Sequence, residues 1–346
     1  MTYLWLTAGL VVLVLGADLF VRGASSLALR WGVSPLVVGL TVVALGTSAP
    51  EVAVSVRAAW VGQADIAIGN VVGSNLFNIL CVLGLSALVA PLTVSLDLVR
   101  RDIPVMIVVS LALLLLTLHG VLAPWSALLL LVGLAGYILW LIRNSRRVSE
   151  AITPSQKQVA VPLAFAFLLA GLTLLVLGAG WLVDSAVSIA RLLGVSELVI
   201  GLTIVSAGTS LPELATSVVA AARGERDIAV GNAIGSNIFN MLFVLGAAGS
   251  ISGTGLPLAP DLRVFDFPVM AGVALLCYPL CRSGFTLSRG EGIYLVLGYL
   301  LYSGALVARA TGSPALLSQL TWAWLVIGLV AGAVFARRAG SRRVAP

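Results

Sequence analysis

The chain has 346 residues, of which 60% are hydrophobic and 10% charged, with a mean hydropathy of +1.11 and a formal net charge of +6. Apolar runs of about twenty residues recur from end to end, which is the composition of a membrane-spanning chain and excludes a soluble globular one. The positive charge therefore asks for a membrane explanation before a nucleic-acid one.

Eleven spans are predicted, over 4–29, 35–61, 66–90, 103–118, 122–142, 160–190, 196–222, 228–250, 266–282, 291–309 and 316–336. The first apolar run is too long for a cleaved signal peptide and carries Asp18 and Arg22, spaced as an ion pair on one helix face. Asp65 and Asp227 precede the third and eighth spans and are expected to cap them. Cys81, Cys277 and Cys281 lie inside apolar runs and read as small core residues, while His119 falls between two runs and reads as a loop residue. The one long polar interruption, Arg143 to Gln158, splits the chain between the fifth and sixth spans. The expected organisation is a first five-helix repeat over 1–142, a cytoplasmic linker over 143–159, a second repeat over 160–310, and an extra transmembrane helix with a basic tail over 311–346.

One stretch occurs twice. Gly39 to Glu51 (GLTVVALGTSAPE) matches Gly201 to Glu213 (GLTIVSAGTSLPE), and Asp65 to Asn78 (DIAIGNVVGSNLFN) matches Asp227 to Asn240 (DIAVGNAIGSNIFN). The copies keep one register without a gap from Gly16/Gly178 to Asn78/Asn240. Five spans separate equivalent points, and five is odd, so the second copy enters the membrane upside down. This is the inverted-repeat plan of secondary transporters, whose binding site lies near the midplane at the repeat interface.

Charge placement supports the same count. With the N-terminus outside, fifteen cations fall on the cytoplasmic side: Arg30, Arg100, Arg101, Arg143, Arg146, Arg147, Lys157, Arg223, Arg226, Arg282, Arg289, Arg337, Arg338, Arg342 and Arg343. Four fall outside (Arg57, Arg191, Arg263 and Arg309), and Arg22 sits within a span. That asymmetry obeys the positive-inside rule. The chain reads as a multi-pass protein of the cell inner (plasma) membrane.

The repeated stretch carries the chemistry. Pro50 and Pro212 lack an N–H and clash with the carbonyl four residues back, so each helix is expected to break between Gly46 and Pro50, and between Gly208 and Pro212. Around each break Thr47, Ser48, Glu51 and Ser55, and likewise Thr209, Ser210, Glu213 and Ser217, share a helix face. The following spans each present a polar seam, Asn70, Ser74 and Asn78 in one and Asn232, Ser236 and Asn240 in the other. For Asn70, Asn75, Asn232 and Asn237 interhelical hydrogen bonding is as good a reading as ligation; Ser74, Asn78, Ser236 and Asn240 are expected to be ligands. No Lys or Arg lies at the same depth on these spans, and a charge at bilayer depth costs about 2.5 to 3.5 kcal/mol even on lenient scales. Glu51 and Glu213 are therefore expected to face each other and to be neutralised by a mobile cation. Carboxylate, hydroxyl and amide oxygens suit hard cations such as Ca²⁺ and Na⁺, and the absence of soft or imidazole ligands argues against zinc or copper.

The paired GTS-x-PE and GSN-x-FN motifs resemble the α-repeats of the cation/calcium antiporter superfamily, specifically the prokaryotic sodium/calcium exchangers. The resemblance implies an all-α polytopic fold of two inverted five-helix repeats, here with one extra C-terminal transmembrane helix. It implies exchange of Ca²⁺ against Na⁺ by alternating access, no cofactor, and the first and sixth spans sliding across a fixed core. It also implies a metal site of Glu51, Glu213, Thr47, Ser48, Ser74, Asn78, Thr209, Ser210, Ser236 and Asn240, with the backbone carbonyls of Ala44 and Ser206. Some members carry Asp where this chain has Asn240, which makes the site symmetric and tilts against K⁺ cotransport. A Ca²⁺/H⁺ antiporter on the same fold and a passive cation channel are the rivals. An intramembrane enzyme is disfavoured, since the chain has neither a GxGD pattern nor a hydrolase elbow, a zincin motif or a P-loop.

Overall fold

In the computed structural model, which describes residues 2–31, 33–145, 160–194, 204, 206–313 and 319, the apolar runs become helices. The first repeat comprises α1 (Thr2–Trp31), α2 (Pro35–Thr47), α3 (Ala49–Trp60), α4 (Ala64–Val89), α5 (Ile103–Leu116) and α6 (Pro124–Ser145). The second comprises α7 (Val161–Leu192), a helical turn at Ser206–Gly208, α8 (Leu211–Ala222), α9 (Arg226–Ile251), α10 (Leu262–Arg282) and α11 (Arg289–Ala310). Seven of these helices are long and apolar enough to cross a membrane, and the bent pair α2–α3 makes an eighth. Most of the predicted eleventh span, of the linker and of the first half of the predicted seventh span lies outside the described residues; Arg143 to Ser145, expected in the linker, continue α6.

Local chemistry explains the ends. Prolines open α2, α6 and α7, where a missing N–H costs nothing and the fixed φ suits a first turn. A capping box starts α11, in which Ser288 Oγ accepts from Glu291 N (3.4 Å) and Glu291 Oε2 accepts from Ser288 N (2.6 Å). Asp65 and Asp227 differ from expectation. They sit inside the first turns of α4 and α9, after Gln63 and Glu225 at the cap positions, and Asp65 Oδ1 instead accepts from Ala259 N (3.1 Å). A carboxylate there still faces the positive end of the helix dipole.

Two layers follow from burial. The most apolar windows of α4 and α9 are 83% and 94% buried, against 33% for α1 and 28% for α7. The helices with the Asn–Ser–Asn seams are thus the centre, and α1 and α7 face lipid with Leu4, Leu10, Leu15, Leu169 and Leu177 exposed. At 1.5 Å per residue each outer helix is about 45 Å long, enough to cross a bilayer at a tilt.

The inversion is visible in the contacts. A Cβ added to Gly9 would meet Gly178 O at 2.9 Å, to Gly16 would meet Gly171 O at 2.9 Å, and to Gly23 would meet Ala164 O at 2.8 Å. Residue numbers rise along α1 as they fall along α7, so these equivalent helices are antiparallel. Two short sheets repeat the relation: β1 (Leu92–Thr93) pairs antiparallel with β4 (Thr286–Leu287), and β2 (Val121–Leu122) with β3 (Leu256–Pro257). Each sheet joins one repeat to the other.

An ion pair adds a tie that composition did not reveal. Asp18 bonds Arg22 (2.9 Å), as its spacing predicts, and also Arg223 at the end of α8, linking an outer helix to the core. The close α1–α7 seam makes a direct prediction. Gly178→Leu would place Cβ 2.5 Å from Leu13 N, whereas Gly180→Leu meets nothing within 4 Å. The first substitution is expected to cost about 1–3 kcal/mol through overpacking and the second to be neutral, read as loss of the monodisperse peak on heating in detergent; equal profiles would contradict the packing.

Candidate cation site

The helix break falls at Ser48, where α2 and α3 meet at 47°. Pro50 occupies the first turn of α3 and Pro212 that of α8, so each proline starts a half-helix. Glu51 and Glu213 follow in the same first turns, at the positive ends of the two half-helix dipoles. The glycines beside the breaks have a packing role. Gly46 is helical, and a Cβ there would meet the Phe20 ring of α1 at 2.8 Å; at Gly208 it would meet Val183 of α7 at 2.6 Å. The outer helices thus touch the breaks directly.

Hydrogen bonds cross between the repeats in matched pairs. Ser210 Oγ donates to Glu51 Oε1 (2.9 Å), and Ser48 Oγ donates to Glu213 Oε1 (3.0 Å). Each carboxylate is held by the serine three residues before the other. Ser74 Oγ adds a bond to Glu51 Oε1 (3.3 Å). Thr47 Oγ1 donates to Asn232 Oδ1 (3.1 Å), and Thr209 Oγ1 to Asn70 Oδ1 (3.2 Å).

Asn70 and Asn232, left open by the sequence, are hubs of this scaffold. Asn70 Nδ2 donates to Glu51 O (3.3 Å) and Ser55 Oγ (2.9 Å); Asn232 Nδ2 donates to Glu213 O (3.2 Å) and Ser217 Oγ (2.9 Å). Ser55 and Ser217 pass the bond on to Ala67 O and Ala229 O, 3.2 Å in each case. Asn75 and Asn237 work in packing: Asn237 Nδ2 donates to Asn75 O (3.2 Å), and Asn75 Nδ2 faces Met270 Sδ (3.6 Å).

The remaining oxygens lack partners. Glu51 Oε2, Glu213 Oε2, Ser236 Oγ and both side-chain polar atoms of Asn78 and Asn240 are buried without a hydrogen bond among the described residues. Glu51, Glu213, Ser74, Ser236, Asn78 and Asn240 have no exposed surface, and among the described residues neither glutamate has a Lys or Arg within ion-pair distance. Asn78 and Asn240 each open a turn of π-helix, a feature frequent at functional sites. The turn after Asn78 packs against α8, which carries Glu213, and the turn after Asn240 against α3, which carries Glu51. Each orphaned polar group costs about 1–3 kcal/mol, and native proteins carry few of them. Their oxygens form a mixed carboxylate, amide and hydroxyl set, which a hard cation accepts.

The two proposed carbonyl ligands differ. Ala44 O accepts from Ser48 N (3.0 Å) and lies 3.4 Å from Thr47 Oγ1. In the second copy Ser210 N donates to Ala207 O (3.2 Å), one residue away from the equivalent Ser206.

Among the described residues the two copies differ in exposure. A cavity of about 450 Å³ reaches the half-buried Asn70 and Thr209 beside Gly69 and Gly73, where no described residue lies within 4 Å of a built Cβ. On the equivalent face of α9 Gly231 and Gly235 are covered, with Leu36 O 2.9 Å and Leu40 Cα 2.8 Å from a Cβ built there. The cavity shows two residues that sequence reasoning missed. Asp266 Oδ1 accepts from Tyr302 OH (2.9 Å), and the matching Asp102 Oδ1 accepts from Tyr137 OH (3.0 Å). The recurring Asp-x-Pro-Val at Asp102–Val105 and Asp266–Val269 is the signal that marks them.

Two antiparallel copies of one helical unit, meeting at broken helices that carry buried acids, define a polytopic membrane protein of the inverted-repeat transporter class. A family model for "Sodium/calcium exchanger protein" matches residues 1–143 and 163–308. Inner membrane protein YrbG of Escherichia coli (strain K12) is 39% identical over 308 residues, covering 86% of this chain and 94% of that protein. Sodium/calcium exchanger MaX1 of Methanosarcina acetivorans is 33% identical over 342 residues, covering 87% and 97%. A solved structure of the sodium-calcium exchanger NCX_Mj, soaked without Na⁺ and Ca²⁺, superposes with a TM-score of 0.75 at 33% identity, covering 87% of this chain and 97% of that one. The chain belongs to the sodium/calcium exchanger family, within the cation/calcium antiporters.

The scaffold predicts an asymmetry of stability. Asn232→Ala strands buried partners on Thr47, Glu213 and Ser217, whereas Asn70→Ala opens onto the cavity, where water can replace the amide. Thermal unfolding in detergent is expected to show the larger drop for Asn232→Ala, by about 1–3 kcal/mol; an equal drop would contradict the difference in exposure between the two amides.

Proposed function

We propose that the protein exchanges Ca²⁺ for Na⁺ across the membrane by alternating access, with Glu51 and Glu213 as the central ligands. The observation that carries this reading is the set of buried, unpartnered oxygens on Glu51, Glu213, Ser236, Asn78 and Asn240, with no resident cationic side chain among the described residues. Thr47, Ser48, Ser74, Thr209 and Ser210 complete the shell, and the carbonyls of Ala44 and Ser206 supply backbone oxygen. Two carboxylates sum to −2, the charge of one Ca²⁺, and Na⁺ competes for the same oxygens.

Competition becomes obligatory exchange through electrostatics. A bare pair of carboxylates crosses the apolar seal only at high cost, because charge buried without a partner loses several kcal/mol of hydration per ion. A bound Ca²⁺, or Na⁺ in its place, removes most of that cost. Switching is then coupled to occupancy, and leak through an empty carrier is suppressed. The same requirement disfavours a passive channel.

The names of the relatives support Na⁺ as the coupling ion, since MaX1 and NCX_Mj are sodium/calcium exchangers. The inner membrane is proposed from YrbG and from the cation asymmetry, which places the N-terminus outside and residues 143–159 in the cytoplasm. In that orientation the open cavity, which lies at the end of the molecule bearing Asp65 and Leu262, faces outward.

Radioactive Ca²⁺ uptake into vesicles loaded with Na⁺ tests the reading. Uptake is expected with Na⁺ loading and not with K⁺ loading, and Glu51→Gln and Glu213→Gln are each expected to abolish it while the protein elutes as wild type. Uptake driven by a pH gradient without Na⁺ would replace the coupling ion by H⁺. Substantial flux through either glutamine variant would remove that glutamate from the ion site.

A further inference from the structure

We propose that Asp266, positioned by Tyr302, is a staging ligand for the incoming cation on the open access path, and that Asp102 with Tyr137 serves the opposite path. This rests on the central site being the destination, but it concerns different residues. The 450 Å³ cavity is lined by Asp65, Asn70, Thr209, Asp266 and Tyr302 among others. At its inner end Thr209 bonds Asn70, which bonds the backbone carbonyl of Glu51, so the cavity stops at the wall of the central site. At its mouth Asp65 is exposed. Asp266 stands between, only 6% exposed.

The state of the Asp266 carboxylate points to a cation. Its Oδ1 accepts from the Tyr302 hydroxyl (2.9 Å), and among the described residues it has no ion pair. Arg309, the cation of this corner, is bonded to Asp261 (2.6 Å) and lies over the Phe265 ring (4.4 Å), so its charge reaches Asp266 only at longer range. A buried carboxylate with a neutral phenol as its partner is poorly compensated, yet this one borders a polar passage along which the transported ions must travel. A single carboxylate holds a cation less firmly than the paired glutamates do. That difference lets an ion wait and then move inward, as conduction through serial sites requires.

The inverted repeat provides an independent observation. Asp102 and Tyr137 form the same pair, Asp102 being 2% exposed, and they belong to the first repeat, at the opposite membrane face. There the equivalents of Asn70 and Thr209, namely Asn232 and Thr47, are sealed. One Asp–Tyr pair therefore lies on the open path and its mate on the closed one. A pair that only stapled neighbouring helices would act without regard to side.

Sidedness is the test. Exchange is measured in right-side-out and inside-out vesicles with Asp266→Asn, which keeps an acceptor for Tyr302, and with Asp102→Asn. Asp266→Asn is expected to raise the half-saturating external Ca²⁺ about tenfold, the lower end of electrostatic effects on ion entry, and to leave the internal value unchanged; Asp102→Asn is expected to do the reverse. Tyr302→Phe, which keeps the charge and frees the carboxylate, is expected to give a smaller shift on the external side only, and serves where Asp266→Asn does not fold. Equal shifts on both sides, or none, overturn the proposal. Equilibrium binding of radioactive Ca²⁺ in detergent separates the two readings: Asp266→Asn is expected to bind as wild type and Glu51→Gln to lose binding. Weakened equilibrium binding by Asp266→Asn would also overturn a staging role.

Discussion

Two carboxylates buried at the start of two half-helices, without a cationic side chain to meet them among the described residues, are the constraint on which the rest of this molecule depends. An ionised acid in such a place is tolerated only with hydrogen bonds to one oxygen and a partner for the other. Ser210 and Ser48 supply the first, each reaching across from the opposite repeat. The second oxygen of each glutamate has no hydrogen-bond partner among the described residues. Neither repeat completes this arrangement alone, because every carboxylate is finished by the other copy's serine. The Thr47–Asn232 and Thr209–Asn70 bonds make the same exchange one layer out.

That mutual dependence explains the architecture around it. The central helices α4 and α9 are almost entirely buried because their polar seams must meet the broken helices on both sides. The long helices α1 and α7 close against each other through glycines and also press Phe20 and Val183 onto the break glycines Gly46 and Gly208. The outer layer thus touches the helix breaks beside Glu51 and Glu213 directly. Asp18, bonded to Arg223 of the core, ties one outer helix to the core.

Symmetry and its departures carry the functional content. The hydrogen bonds around Glu51 and Glu213 follow the internal repeat almost atom for atom. Exposure among the described residues does not: Asn70 and Thr209 line a cavity while Asn232 and Thr47 are buried.

Much of this was legible in the sequence because repetition and hydropathy are one-dimensional signals. The odd number of spans between copies dictates inversion, and a proline followed by a glutamate in apolar sequence marks a broken helix with an acid at its start. The membrane class, the inverted repeats and the buried acids at the starts of the half-helices follow from those patterns. Three-dimensional contact decided the rest. Asn70 and Asn232 are hubs because Thr209 and Thr47 arrive from the other repeat, which spacing along one helix cannot show. Gly46 is needed for the approach of Phe20, not for an unusual backbone angle. Asp102 and Asp266 were passed over because each looks like an ordinary polar residue at the end of a span. Only the fold buries them, gives them tyrosines about 35 residues away in sequence, and leaves one beside an open path.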